Sequence, residues 1–285
     1  MLRALELFSG LGGWSYALGA RGSVLAAFDI SPVANATYLL NHGRAPQARE
    51  LARIKPAEFR ALGADTWLLS PPCQPFCRMG KGQGLADPRS RAFLHLLEVL
   101  REAPPERLAL ENVAGFLGSP AHELLCARLA EQGLHQLSYQ LCPSGFGIPN
   151  LRPRVFILAA RRPLAARAVP AIAPAALAGF LDPEEDPALY LEPGLRHGPG
   201  LDLATPESRR SACFIGGYGQ RLVGSGSFLQ TPRGIRRFSP AEIARLMGLP
   251  GSFRFPQCTS LEQRYRLLGN GLSLPVARWV LDQLL

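Results

Sequence analysis

Short apolar runs alternate with amphipathic stretches through the first half of the chain, and that alternation predicts its elements. Leu2–Phe8 and Val24–Ile30 read as strands, separated by a glycine turn and a helix through Trp14–Leu18. Ser31 followed by Pro32 is a cap-then-proline order that opens a helix running to about His42. Trp67–Leu69, Arg107–Glu111 and Val155–Ala159 read as further strands. Ser90–Arg101 has helical apolar spacing, and Ser119-Pro120 opens another helix that Gly133 ends. Strands alternating with helices imply an α/β fold, a doubly wound and mostly parallel sheet covered on both faces.

The texture changes after Arg161. Ala, Pro and Gly dominate to about Arg210, Pro183–Pro187 reads as an exposed acidic loop, and Cys213–Gln230 interleaves glycines with aromatic and basic residues. Ser239-Pro240-Ala241-Glu242 has capping-box spacing for a helix that stops at Gly248, and Leu274–Leu284 reads as a terminal helix. The expected division is a catalytic domain of residues 1–160 plus 264–285 and a small inserted recognition domain of residues 161–263. No internal repeat is visible.

Composition narrows the partners. The 285 residues suit one large domain or a large and a small one. No apolar run approaches the roughly 20 residues of a membrane span. Met1 leads almost directly into Leu5-Glu6-Leu7-Phe8, unlike a signal peptide. The net charge of +9 favours a polyanion such as nucleic acid. Only Lys55 and Lys81 are lysines, so arginine carries that charge, and its flat fork suits phosphates and base edges. Six cysteines are scattered through the chain, which fits a reducing cytoplasm better than a disulfide framework. Cys73 and Cys77 form a CxxxC pair, but no second pair completes a zinc site, so no metal is expected.

Four features carry candidate chemistry. Pro71-Pro72-Cys73-Gln74-Pro75-Phe76 follows the strand ending at Leu69, and its prolines stiffen a turn that holds a thiol where open α/β sheets place their chemistry. Cys73 is there either a nucleophile or buried filler. Phe8-Ser9-Gly10-Leu11-Gly12-Gly13 lets the backbone approach a ligand closely, but it lacks the G-x-G-x-x-G dinucleotide spacing. Asp29 ends the second strand, where a carboxylate can accept hydrogen bonds from a ribose. Together these fit a nucleoside cofactor without a pyrophosphate, such as S-adenosylmethionine. Glu111 ends another strand of the same sheet, and Arg152 and Arg154 precede the next. A thiol, a carboxylic acid and two guanidiniums can converge there, and nearby positive charge raises the thiolate fraction. Taken singly, each has a plainer explanation in packing, capping or surface charge.

Phe8–Gly13, Pro71–Phe76, Glu111–Val113, Asn150–Arg154, Ser239–Pro250 and Arg264–Gly271 occur in an order that resembles the cytosine-5 methyltransferase family over nearly the whole chain. The resemblance implies that Cys73 adds to cytosine carbon-6, that Glu111 holds or protonates ring nitrogen-3, that Arg154 contacts the base carbonyl, and that Arg152 supports the thiol region. It also implies S-adenosylmethionine as methyl donor, with Phe8, Gly10, Gly12, Asp29, Pro71 and Asn270 lining its site. A further acidic contact to the adenine, usual in the family, has no match in Arg49–Ile54. The target base must leave its stack to be modified.

Ser90–His95, Gly147–Asn150, Cys213-Phe214-Ile215 and Arg264–Asn270 are similar to the tRNA branch, the second DNA-methyltransferase homologue group. That likeness implies a tRNA substrate, at anticodon-loop cytosine 38 and typically in tRNA-Asp, a cytoplasmic enzyme and no obligate protein partner. Ile215 and Cys77 stand where the branch has threonine, and Asn150 where the wider family has glutamine. The alternatives are a DNA cytosine-5 methyltransferase of a restriction-modification system and a catalytically silent RNA-binding homologue.

Overall fold

The computed structural model describes residues 1–72, 90–184, 186–192 and 200–285. In chain order its strands and helices are β1 (Leu2–Leu7), α1 (Gly13–Leu18), β2 (Gly22–Phe28), α2 (Pro32–His42), α3 (Pro56–Ala61), β3 (Thr66–Leu69), α4 (Arg91–Glu102), β4 (Arg107–Val113), α5 (Pro120–Glu131), β5 (His135–Leu141), β6 (Arg154–Ala160), β7 (Asp202–Ala204), β8 (Ser227–Thr231), β9 (Gly234–Arg237), α6 (Pro240–Leu246), α7 (Leu261–Gly269) and α8 (Leu274–Leu281). The chain divides into two compact units, Met1–Leu141 with Pro153–Ala168 and Ala277–Leu285, and Cys142–Arg152 with Val169–Val276.

The first unit is built on a six-stranded sheet of order β2-β1-β3-β4-β6-β5. The pairs β1–β2, β1–β3 and β3–β4 are parallel, as the alternation of strands and helices predicts. β6 runs antiparallel to both β4 and β5, so the sheet is mixed at that end. Residues two apart on a strand share a face. Leu5, Leu7, Trp67, Leu69, Leu108, Leu110, Val155 and Ile157 therefore point one way and pack with Phe59 of α3 and the apolar stripes of α4 and α5. Burying each such side chain contributes about 1.5–3 kcal/mol. The opposite face carries Glu6 and Phe156, covered by α1 through Trp14, by α2 through Tyr38, and by α8, where Trp279 meets Tyr139 edge-on.

Local signals set the helix starts. The Ser31 and Ser119 hydroxyls accept from the N–H groups of Ala34 and His122, with proline next in each case. Gly133 (φ 67°) closes the turn after α5 in the left-handed region that favours glycine.

The second unit contains a three-stranded sheet, β7 parallel to β8 and β8 antiparallel to β9. Its core is aromatic. Tyr218 packs against Phe214, Phe228 and Tyr265, and its hydroxyl donates to the Ser227 carbonyl at 2.6 Å while accepting from the Phe238 N–H at 2.9 Å. Ser239 and Glu242 form the expected capping box on α6, and Glu242 also takes both terminal nitrogens of the buried Arg236.

Candidate active site

Parallel pairing fixes where the chemistry gathers. The carboxyl ends of β1, β2, β3 and β4 (Leu7, Phe28, Leu69 and Val113) lie along one edge of the sheet. The chain leaves β3 there through Ser70, whose N–H donates to the Leu7 carbonyl at 3.2 Å and whose hydroxyl accepts from the Trp14 indole at 3.1 Å. The buried Pro71 follows, its carbonyl accepting from the Asn112 amide at 3.3 Å. Thus the turn that leads to Cys73 starts from a fixed point beside the end of β4. Cys73 itself, like Gln74–Phe76 and Cys77, lies outside the described residues.

Glu111 and Arg154 meet at this edge. Their ion pair is 3.1 Å from Nε to Oε1, with side chains 11% and 15% exposed respectively, so both are shielded but reachable. A start-of-strand residue reaches an edge made of strand ends only because β6 runs backwards: Val113 pairs with Arg154 in the antiparallel register. Arg152, two residues earlier, has other partners. It is buried in the second unit, donating to the Phe214 carbonyl at 3.1 Å, to the Gly269 and Gly271 carbonyls at 3.0 and 2.6 Å, and lying 3.3 Å from the Cys213 sulfur. The two arginines expected to act together are thus separated in function: one pairs with a carboxylate, the other cross-links backbone.

The glycine turn lies at the same edge. Phe8 has φ 60°, the only non-glycine positive φ among the described residues, and strain of that kind gathers at ligand sites. Gly10 (φ 54°) has nothing within 4 Å of where a Cβ would stand, so its outer side is open. Gly12 (φ 84°) differs: a Cβ there would overlap the His42 ring and crowd Tyr38, so this glycine serves packing beneath the turn. Asp29 joins the turn to α2. Its carboxylate accepts from the Gly10 N–H and the Ser31 N–H, both at 2.8 Å, and its carbonyl accepts from the Asn35 amide at 3.0 Å. An open backbone, a strained turn and a carboxylate fixed by two N–H donors fit a ribose-bearing ligand. Asn270 is exposed at the C-terminal end of α7, in the second unit.

Sequence reasoning passed over Glu6, which is fully buried and accepts from the Trp14 N–H, the Ser15 hydroxyl and the Tyr38 hydroxyl at 2.9, 2.5 and 3.0 Å. Burial pushes its carboxyl up to about 7. The signal was present as a glutamate between Leu5 and Leu7 in an otherwise apolar strand. Among the described residues no group of His, Cys, Asp and Glu is arranged to hold a metal ion.

Residues 2–184 and 205–285 match the family model for C-5 cytosine-specific DNA methylase. The chain belongs to that family. A tRNA (cytosine(38)-C(5))-methyltransferase of Schizosaccharomyces pombe is 33% identical to it, covering 100% of this chain and 97% of that protein. Among solved structures, a methyltransferase of Entamoeba histolytica, EhMeth, superposes with a TM-score of 0.94 at 25% identity over 100% of this chain and 98% of that one. The S. pombe Dnmt2 methyltransferase gives a TM-score of 0.88 at 31% identity, covering 100% and 98%. The chain therefore has the α/β methyltransferase fold, and family membership makes it a cytosine C-5 methylase. Among the described residues no helix is long and apolar enough to cross a membrane.

Proposed function

We propose that this chain methylates carbon-5 of cytosine in tRNA, at anticodon-loop cytosine 38, through a covalent Cys73 intermediate. The observation that carries this reading is full-length similarity, at 33% and 31% identity, to proteins named tRNA (cytosine(38)-C(5))-methyltransferase. Residues 161–263 would present the RNA, and residues 1–160 with 264–285 would hold the catalytic machinery. Four described cysteines, Cys126, Cys142, Cys213 and Cys258, are free, which supports a reducing compartment such as the cytoplasm.

The mechanism follows from the residues. The Cys73 thiolate adds to carbon-6, and the displaced electron pair moves toward nitrogen-3 and the ring carbonyl. Glu111 faces nitrogen-3 and hydrogen-bonds or protonates it, while Arg154, 3.1 Å from Glu111, offers donors to the ring carbonyl. Carbon-5 becomes nucleophilic as a result. Bound S-adenosylmethionine supplies an electrophilic methyl group. Phe8, Gly10, Gly12, Asp29, Pro71 and Asn270 would hold that cofactor, with Asp29 accepting from the ribose and the Gly10 backbone open toward it. Loss of the carbon-5 proton and departure of Cys73 then restore the aromatic base. Arg152 acts at a distance, by fixing the backbone around Cys213–Phe214 and Gly269–Gly271.

The test is incubation with labelled S-adenosylmethionine and either total tRNA or duplex DNA, followed by bisulfite sequencing of the tRNA. Label at one anticodon-loop cytosine is expected. Label in DNA alone would establish the DNA methyltransferase reading instead, and no label in either would favour the silent RNA-binding homologue. Cys73→Ala is expected to abolish turnover and leave cofactor binding intact.

A further inference from the structure

The underside of the glycine turn is polar, and the chemistry above gives its groups no part. Glu6 is fully buried on β1, two residues before the strained Phe8. Its Oε1 accepts from the Trp14 N–H in the first turn of α1, and its Oε2 accepts from the Ser15 and Tyr38 hydroxyls. Those hydroxyls lie 2.5 Å from each other, so three donors converge on one carboxylate. Helix α1 needs this help. Its N-cap is Gly12, which has no side chain to cap the helix, and its first turn holds no acidic residue. The strand beneath it supplies the acceptor that a capping residue would ordinarily provide.

The same cluster reaches the turn from its other side. The Tyr38 ring lies 4.4 Å from His42, which in turn lies 4.4 Å from Tyr16. His42 hydrogen-bonds the Leu11 backbone and fills the space that Gly12 leaves. The turn from Phe8 to Gly12 therefore rests on a continuous polar floor running from Glu6 through Tyr38 to His42. An aliphatic residue at position 6 would satisfy the sheet and avoid the cost of burying a carboxyl group. A buried polar group kept at such a place points to a demand on geometry.

We propose that Glu6 is a positioning residue for the S-adenosylmethionine site: it fixes the first turn of α1 and, through it, the Phe8–Gly12 backbone against which the cofactor lies. The inference rests on the cofactor reading given above. It differs from that reading in naming a residue that never touches the ligand.

The experiment is isothermal titration of the purified full chain with S-adenosylhomocysteine, with steady-state KM values for S-adenosylmethionine and tRNA measured in parallel. Loss of hydrogen bonds to a buried carboxylate predicts that Glu6→Ala weakens binding about tenfold or more. Glu6→Gln keeps an acceptor for Trp14 and a donor for the Ser15 and Tyr38 oxygens, so it stays within about threefold of wild type. The KM for tRNA does not move in either variant, whereas general loss of structure would raise both KM values or lower only the active fraction. Wild-type affinity in Glu6→Ala, or a parallel rise in the tRNA KM, overturns the inference. Where Glu6→Ala does not fold, the double variant Ser15→Ala, Tyr38→Phe removes both hydroxyl partners and carries the test, and wild-type affinity there overturns it equally. Wild-type protein that fails to bind the ligand overturns the cofactor reading and this inference together, whereas binding unchanged by the variants overturns this inference alone.

Discussion

Glu111 and Arg154 are joined by an ion pair that leaves the outer surfaces of both side chains reachable by a base. Removing the acid should cost chemistry rather than binding. Glu111→Gln is expected to lower the single-turnover rate about a hundredfold while leaving S-adenosylhomocysteine affinity unchanged, as general-acid contributions of that order predict. Glu6 behaves differently, because its carboxyl titrates near 7 in the fold against an unfolded value of 4.5. A raised acid pKa means that the native state holds a proton the unfolded chain has lost. Its effect on stability is therefore absent below about pH 4.5, grows as a penalty up to about 7, and is constant above, reaching about 3 kcal/mol. Urea midpoints of wild type and Glu6→Gln at about pH 5 and pH 8 check this, and wild type should lose ground to the variant as pH rises.

At the scale of elements, Arg152 ties the segment around Phe214 to the end of α7, donating to three backbone carbonyls from a buried position. Arg152→Met leaves those carbonyls without their donor and should destabilise the fold by about 3 kcal/mol or more, read as a fall in the thermal midpoint. Arg152→Lys should rescue little, since one ammonium cannot span acceptors that a planar fork reaches. The sequence announces the helices best where a hydroxyl cap precedes proline, as at Ser31, Ser119 and Ser239, because those signals are local. It hides β5. His135, Gln136, Ser138 and Gln140 are exposed on a strand that pairs only with β6, so no apolar run marks it. The short α3 is likewise concealed, with Phe59 as its single buried anchor. The candidate site is legible in its residue types but not in its assembly. A wholly parallel sheet would send Arg154 to the opposite edge from Glu111, and spacing alone gives no hint that Arg152 and Arg154 have different partners.

For the whole molecule, the net charge of +9 bears on the polyanion and hardly on the cofactor. Raising salt from about 50 to 200 mM should weaken tRNA binding by about tenfold or more, through counterion release, and leave S-adenosylhomocysteine affinity nearly constant. Filter binding and calorimetry at several salt concentrations separate the two. The reversed direction of β6 has a consequence for redesign. Because Arg154 arrives at the strand's beginning, the catalytic edge is already complete in register before the chain reaches Ala160. Whatever follows is free to change length without disturbing the Glu111–Arg154 pair. The family match itself pauses between residues 184 and 205. A flexible graft of about ten residues in that gap should leave S-adenosylhomocysteine affinity unchanged, since loop length carries only a small entropic cost, while altering which RNA is methylated. The enzyme thus offers a socket for exchangeable substrate readers, with its chemistry fixed upstream of the splice.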